Sequence, residues 1–254
     1  MKHLPNLLTL GNLFSGCIAI AFIMSSQPYL SNFGDLPYWI TGTEQAYWGA
    51  IFILIAGVFD LLDGSVARAL KLFSPIGKDL DSLADVVSFG VAPSMILFKM
   101  LWVANIAQPN AMEVSMWAMT PAFLIACFGA LRLARFNVSA ASGIGFTGMP
   151  IPAIGILVAS FPLINLYVPQ VGIYFKNTWL LYGIIALCCW LMVSKMSFFK
   201  LLPSQWNLGN LWPRIVLLLA AIGLFPFLSF ATIPVLFLLY ILLSFVYKSK
   251  EAKM

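Results

Sequence analysis

The chain has 254 residues, 61% of them hydrophobic and 9% charged, with a formal net charge of +5. Soluble domains carry roughly 25% charged residues, so this composition excludes a soluble enzyme, and the lone histidine, His3, excludes a His-based zinc site or a Ser-His-Asp triad. Apolar runs of about 20 residues recur along the chain, the length a helix needs to cross a hydrocarbon core of about 30 Å, whereas the ten-residue alternation of a membrane barrel is absent.

The predicted fold is an all-α, polytopic transmembrane bundle forming a single integral domain over 1–254. Eight spans are expected at roughly 6–26, 46–67, 82–103, 116–137, 150–168, 178–196, 212–229 and 231–247. The first follows Lys2 without a small-residue cleavage site and reads as a retained helix. Asn6, Thr9 and Asn12 recur every third residue on it, a polar stripe that suits either interhelical hydrogen bonding or a ligand. The stretch 27–45, rich in Gly, Pro, Ser and Asn, is the longest connecting loop.

Spans two and three form a hairpin, about 46–103, across a loop of about ten residues that carries Lys71, Ser74 and Lys78. Arg132 and Arg135 share a face near the end of span four. They either snorkel to headgroups or bind an anionic group, with Asn137 a further candidate. Gly148, Pro150 and Pro152 open span five, where proline is tolerated in the first turn. Cys17, Cys127, Cys188 and Cys189 all fall inside spans, without metal-site spacing, and read as small buried hydrophobes. The last two spans, about 212–247, are joined by the tight turn in "FLSFATIP" and carry the least diagnostic sequence.

Charge orients this bundle. With the N-terminus inside, twelve basic residues fall on the cytoplasmic side, and only Lys99 and Lys176 lie toward the other. Both termini are therefore expected in the cytoplasm. The positive charge reflects topology and anionic lipid headgroups, and nucleic acid is not implied.

Five of the nine acidic residues lie between Phe59 and Asp85: Asp60, Asp63, Asp79, Asp81 and Asp85. On helices, Asp60 and Asp63 are i,i+3 neighbours, and Asp81 and Asp85 are i,i+4 neighbours, so each pair shares a face. An antiparallel hairpin brings these faces together below the cytoplasmic surface. Each ionised Asp in a span costs about 2.5–3.5 kcal/mol, so four would not be buried bare. An oxygen-only donor set selects hard divalent cations such as Mg2+ or Mn2+. Gly64 and Ala67 leave room beside the helix for a phosphate, or simply allow close packing; Arg68 suits a phosphate, and Gly77 a turn.

The spacing Asp60-x2-Asp63-Gly64-x2-Ala67-Arg68-x8-Gly77-x3-Asp81-x3-Asp85 resembles the signature of the CDP-alcohol phosphotransferases at all eight fixed positions. "LPNLLTLGNLFSG", "DSLADVVSFGVAP" and "LRLARFNV" followed by "FTGMPIP" resemble the integral-membrane phosphatidylserine synthase branch, over about the first 165 residues. The resemblance implies two divalent cations, Mg2+ or Mn2+, held by Asp60, Asp63, Asp81 and Asp85, with Asp85 also the general base. It implies contacts to CDP-diacylglycerol from Asn6, Thr9, Gly64, Arg68 and Ser74, with Arg132 and Arg135 candidates for serine or phosphate. The implied reaction transfers the phosphatidyl group to L-serine and releases CMP. The implied setting is a bacterial inner membrane, among membrane lipids, with a cytoplasmic active site and homodimeric assembly. Another alcohol of the glycerol phosphate or inositol type is the alternative within the family, and an Asp-lined cation transporter the alternative outside it.

Overall fold

In a membrane, lipid tails are as apolar as leucine, so helices associate through small and polar residues instead of large hydrophobic ones. Helix α1, Leu4–Ser25, shows this pattern. Its buried residues include Thr9, Asn12, Ser15, Gly16 and Ala19, while Leu7, Leu10 and Phe14 face outward. At 1.5 Å per residue its 22 residues span about 33 Å, enough to cross a bilayer core. The computed structural model describes residues 4–25, 28–33, 36–41, 43–70, 75–106, 108, 113–141, 148–196, 198–199 and 208–251.

Within the stretch 27–45, expected as a loop, the described residues include two strands. Strands β1, Pro28–Phe33, and β2, Leu36–Thr41, pair antiparallel, from Pro28 opposite Thr41 to Phe33 opposite Leu36. This hairpin is the one departure from helix among the described elements. Helix α2 then runs Thr43–Leu70 and packs along α1.

Helix α3, Pro75–Asp85, starts earlier than expected. Only residues 71–74 separate it from α2, in place of the loop of about ten, because Pro75 suits the first turn of a helix. Asp79 and Asp81 therefore stand on helix. A π-helical segment, Val86–Val91, follows Asp85 directly and leads into α4, Ala92–Ile106. Together they make a continuous rod, Ile76–Ile106. Gly16 of α1 meets Ser88 of the π segment backbone to side chain: a Cβ on Gly16 would lie 2.9 Å from the Ser88 Cα. Only glycine permits that approach.

A 3-10 turn, Met116–Phe123, precedes α5, Leu124–Ala141. Helix α6, Ile151–Tyr167, buries most of its length, up to Ile164, and is exposed at Leu166 and Tyr167. The core sits where α4, α5 and α6 meet, with Phe89, Ile96, Leu97, Leu101, Ile125 and Ile154 fully buried. After α6 the chain bends by 118° into α7, Pro169–Gly172, and a 3-10 turn. The break falls at Val168 (φ −135, ψ 67), since the residue before a proline is driven out of the helical region. Helix α8, Thr178–Val193, is capped by the Asn177 side chain, which accepts from the Trp179 and Leu180 N–H groups at 2.9 and 3.3 Å. Helix α9, Leu208–Leu228, and α10, Thr232–Glu251, are joined by a 3-10 turn with Ser229 at φ 49.

Each of the eight expected spans falls on a helix. By length and composition, five stretches of the described chain qualify to cross a membrane, or six if the bent pair at Val168 is one span. The stretch Leu211–Val246 counts as one of these although the turn at Ser229 divides it. At 16 residues α8 spans about 24 Å and falls short. Of the four cysteines, Cys188 and Cys189 are buried as expected, whereas Cys17 and Cys127 are on the outer surface. An apolar outer surface accepts a thiol as readily as the core does.

Candidate metal centre and active site

Helices α1, α2 and α3 converge on the carboxylates. One oxygen from each of Asp60, Asp63 and Asp81 lies within 4.8 Å of the others. Asp63 is 5% exposed, Asp60 and Asp81 are half-buried, and Asp79 is exposed, away from the cluster's buried face. The Asp81 Oδ1 atom is buried with no hydrogen-bond partner. Three carboxylates this close repel one another, and an orphaned oxygen among them adds the cost of its own desolvation. A divalent cation relieves both. The donor set is all oxygen, so these residues fit a hard metal ion.

Asp85, 7% exposed, stands outside that three-oxygen grouping. Its Oδ1 accepts from Asn12 Nδ2 at 3.2 Å. Asp63 Oδ2 accepts from Thr9 Oγ1 at 2.7 Å. Thr9 and Asn12 of the polar stripe of α1 thus face the carboxylates, and Asn6 lies half-buried about one turn before Thr9. Asn12 Oδ1 is buried and unpartnered, at a cost of about 1–3 kcal/mol. Sequence reasoning missed Ser88, whose Oγ donates to the Asn12 carbonyl at 3.0 Å. Its signal was present: a small polar residue three positions after Asp85, in an otherwise apolar run.

Gly64 is half-buried, and the Arg68 guanidinium lies over it, with Nη1 3.6 Å from where a Cβ would stand. Arg68 is exposed and reaches Ser65 Oγ at 3.4 Å. Ser74 and Lys71 lie outside the described residues. Lys78 donates to the Asn137 carbonyl at 3.3 Å, and Asn137 Nδ2 donates to Ser82 Oγ at 2.8 Å, so this pair ties α5 to α3.

The two arginines of α5 part company. Arg132 is half-buried, within electrostatic range of Asp85 and Tyr240, and its guanidinium lies 5.3 Å from the Phe136 ring centre. Its Nε is buried without a hydrogen-bond partner. Arg135 is exposed. Three residues of helix leave the two side chains about 60° apart around the axis, so one turns toward the packed core and the other toward the surface.

Residues 2–200 match the CDP-alcohol phosphatidyltransferase family. The chain is 35% identical over 240 residues to the CDP-diacylglycerol–serine O-phosphatidyltransferase of Helicobacter pylori, covering 93% of this chain and 88% of that protein. A Saccharomyces cerevisiae protein of the same name is 33% identical over 188 residues, 69% of this chain and 57% of its own. The archaetidylserine synthase of Methanothermobacter thermautotrophicus is 35% identical over 166 residues, 65% of this chain and 59% of its own. The family match takes in every residue of the carboxylate cluster and the whole of α1 to α8, and on that basis the chain belongs to the CDP-alcohol phosphatidyltransferase family.

Proposed function

We propose that this chain transfers the phosphatidyl group of CDP-diacylglycerol to the hydroxyl of L-serine, giving phosphatidylserine and CMP. The observation that carries the reading is the approach of Asp60, Asp63 and Asp81 oxygens to within 4.8 Å, with Asp85 buried beside them. The choice of serine is supported by the Helicobacter and yeast relatives, whose names specify it.

Asp60, Asp63, Asp81 and Asp85 would hold two divalent cations, Mg2+ or Mn2+, which when bound neutralise charge on the attacking and leaving oxygens. Asp85 takes the proton of the serine hydroxyl. The hydroxyl oxygen bonds to the phosphorus that bears diacylglycerol, the bond from that phosphorus to the CMP oxygen breaks, and CMP leaves with the electron pair. Gly64 presents no side chain to the diphosphate, and Arg68, whose guanidinium lies over it, serves the CDP portion with Asn6 and Ser74. Arg132 offers a guanidinium to the serine carboxylate or the diphosphate; Arg135 is a weaker candidate for the same role, given its exposure.

The same reading sets the helical bundle in a bacterial inner membrane, with both termini and the active site facing the cytoplasm. Its support is the distribution of basic residues, twelve against two. A cysteine introduced at Lys71 is expected to react with an impermeant reagent only after the cytoplasmic side is opened; labelling in sealed cells refutes the orientation. Homodimeric assembly belongs to the reading through family resemblance, and cross-linking in native membranes tests it.

Purified protein given CDP-diacylglycerol, Mn2+ and labelled serine is expected to form labelled phosphatidylserine. Product formation with glycerol phosphate or inositol in its place would assign another alcohol.

A further inference from the structure

Two side chains of α1 donate to two different carboxylates of the cluster: Thr9 to Asp63 at 2.7 Å and Asn12 to Asp85 at 3.2 Å. Both donors are buried, at 3% and 0% exposure, so neither contact is a solvent-exposed accident. Each engages one oxygen of its carboxylate. The Thr9 hydroxyl also lies 3.0 Å from the Pro5 carbonyl, but the shorter contact to a charged acceptor is the stronger one. Asn12 pays for its place with an unpartnered Oδ1, which identifies the Nδ2 contact as the reason a carboxamide stands there.

We infer that α1 is the positioning element of the active site, Thr9 orienting Asp63 as a metal ligand and Asn12 orienting Asp85 as proton acceptor. The backbone supports the assignment. Ser88 Oγ holds the Asn12 carbonyl at 3.0 Å, and the Gly16–Ser88 approach clamps α1 to the segment that follows Asp85. Donor and acceptor therefore keep their register. Hydrogen bonds that orient ligands typically change metal affinity or activity by about 10–100-fold when removed.

This inference rests on the proposed phosphatidyl transfer, and the test separates the two. Wild-type protein is assayed for CMP release and, without CDP-diacylglycerol, for binding of Mn2+ alone by electron paramagnetic resonance. A wild type that binds Mn2+ and releases CMP secures the underlying reading; one that does neither removes it, whatever the variants do. Thr9→Val keeps the shape and removes the hydroxyl. It is expected to weaken Mn2+ binding by about 10–100-fold, and Thr9→Ser to restore it. Unchanged Mn2+ binding in Thr9→Val, with a raised KM for CDP-diacylglycerol, overturns the assignment in favour of a nucleotide contact. Asn12→Leu is expected to lower kcat by about 100-fold, within the range for impaired general base catalysis, with KM for CDP-diacylglycerol unchanged. If that variant does not fold, Asn12→Ala, which removes the donor without adding bulk or charge, carries the same test. Wild-type kcat in either folded variant overturns the role of Asn12.

Discussion

The α1–α4 region and the α9–α10 pair are both apolar enough to lie in a membrane, yet they are built to different rules. In the most apolar 18-residue window of Ile76–Ile106, 56% of residues are buried inside the protein; in that of Leu211–Val246 the share is 11%. The first region brings small and polar residues to its interfaces and aims carboxylates inward. The second presents Leu218, Leu219, Ile222 and Phe227 outward, and it lies beyond the family match that ends at residue 200. Chemistry demands particular residues at particular spacings, whereas contact with lipid demands only that residues be apolar.

Substitutions can break or sharpen this contrast. The largest effect is expected from Asp63→Ala and Asp81→Ala, which should reduce CMP release by about 1,000-fold or more, as when charge stabilisation at the reacting centre is lost. Treatment with EDTA should reproduce that loss, and Mn2+ or Mg2+ should reverse it in wild type only. Next comes Asp85→Asn, expected to lower kcat by about 10²–10⁴-fold, read from steady-state kinetics at saturating substrate. Gly16→Leu would drive a side chain into Ser88 and prise α1 from the π segment. Overpacking of this kind costs about 1–3 kcal/mol, visible as a lower Tm in detergent. Arg132→Lys retains charge but loses the planar fork; about a tenfold rise in KM for serine, equivalent to about 1.4 kcal/mol, is expected, with a smaller change for Arg135→Lys. The smallest effect belongs to the second region: Phe227→Ala, at a residue 86% exposed, should shift stability by no more than about 0.5 kcal/mol. A large effect there would mean that α9–α10 does more than face lipid.

The carboxylate cluster was legible because charge is conspicuous in an apolar chain and i,i+3 and i,i+4 spacing maps directly onto helix faces. The partners of Thr9 and Asn12 were not, since the rotation of one helix against another is set by packing and leaves no mark on either helix alone. The early start of α3 was hidden by "SPIGKD", whose Ser, Pro and Gly read as loop although Pro75 begins a helix. The β hairpin was hidden by composition too: "PYLSNF" and "LPYWIT" flank Gly34-Asp35, a two-residue hairpin signal, but the Pro, Ser and Asn content read as loop. For Cys17 and Cys127, hydrophobicity carried no information about inside or outside, because in a bilayer both are apolar.

On the proposed reaction, the aspartate cluster of α2 and α3 binds divalent cations and, through them, directs CDP-diacylglycerol onto serine. The most direct test is CMP release by the purified full-length chain, with CDP-diacylglycerol and serine, as Mn2+ is titrated into metal-stripped protein. The expected result is no CMP without metal, a saturable rise with Mn2+, and no such rise in Asp81→Ala. Full CMP release from metal-free protein, or an undiminished response to Mn2+ in Asp81→Ala, would contradict it.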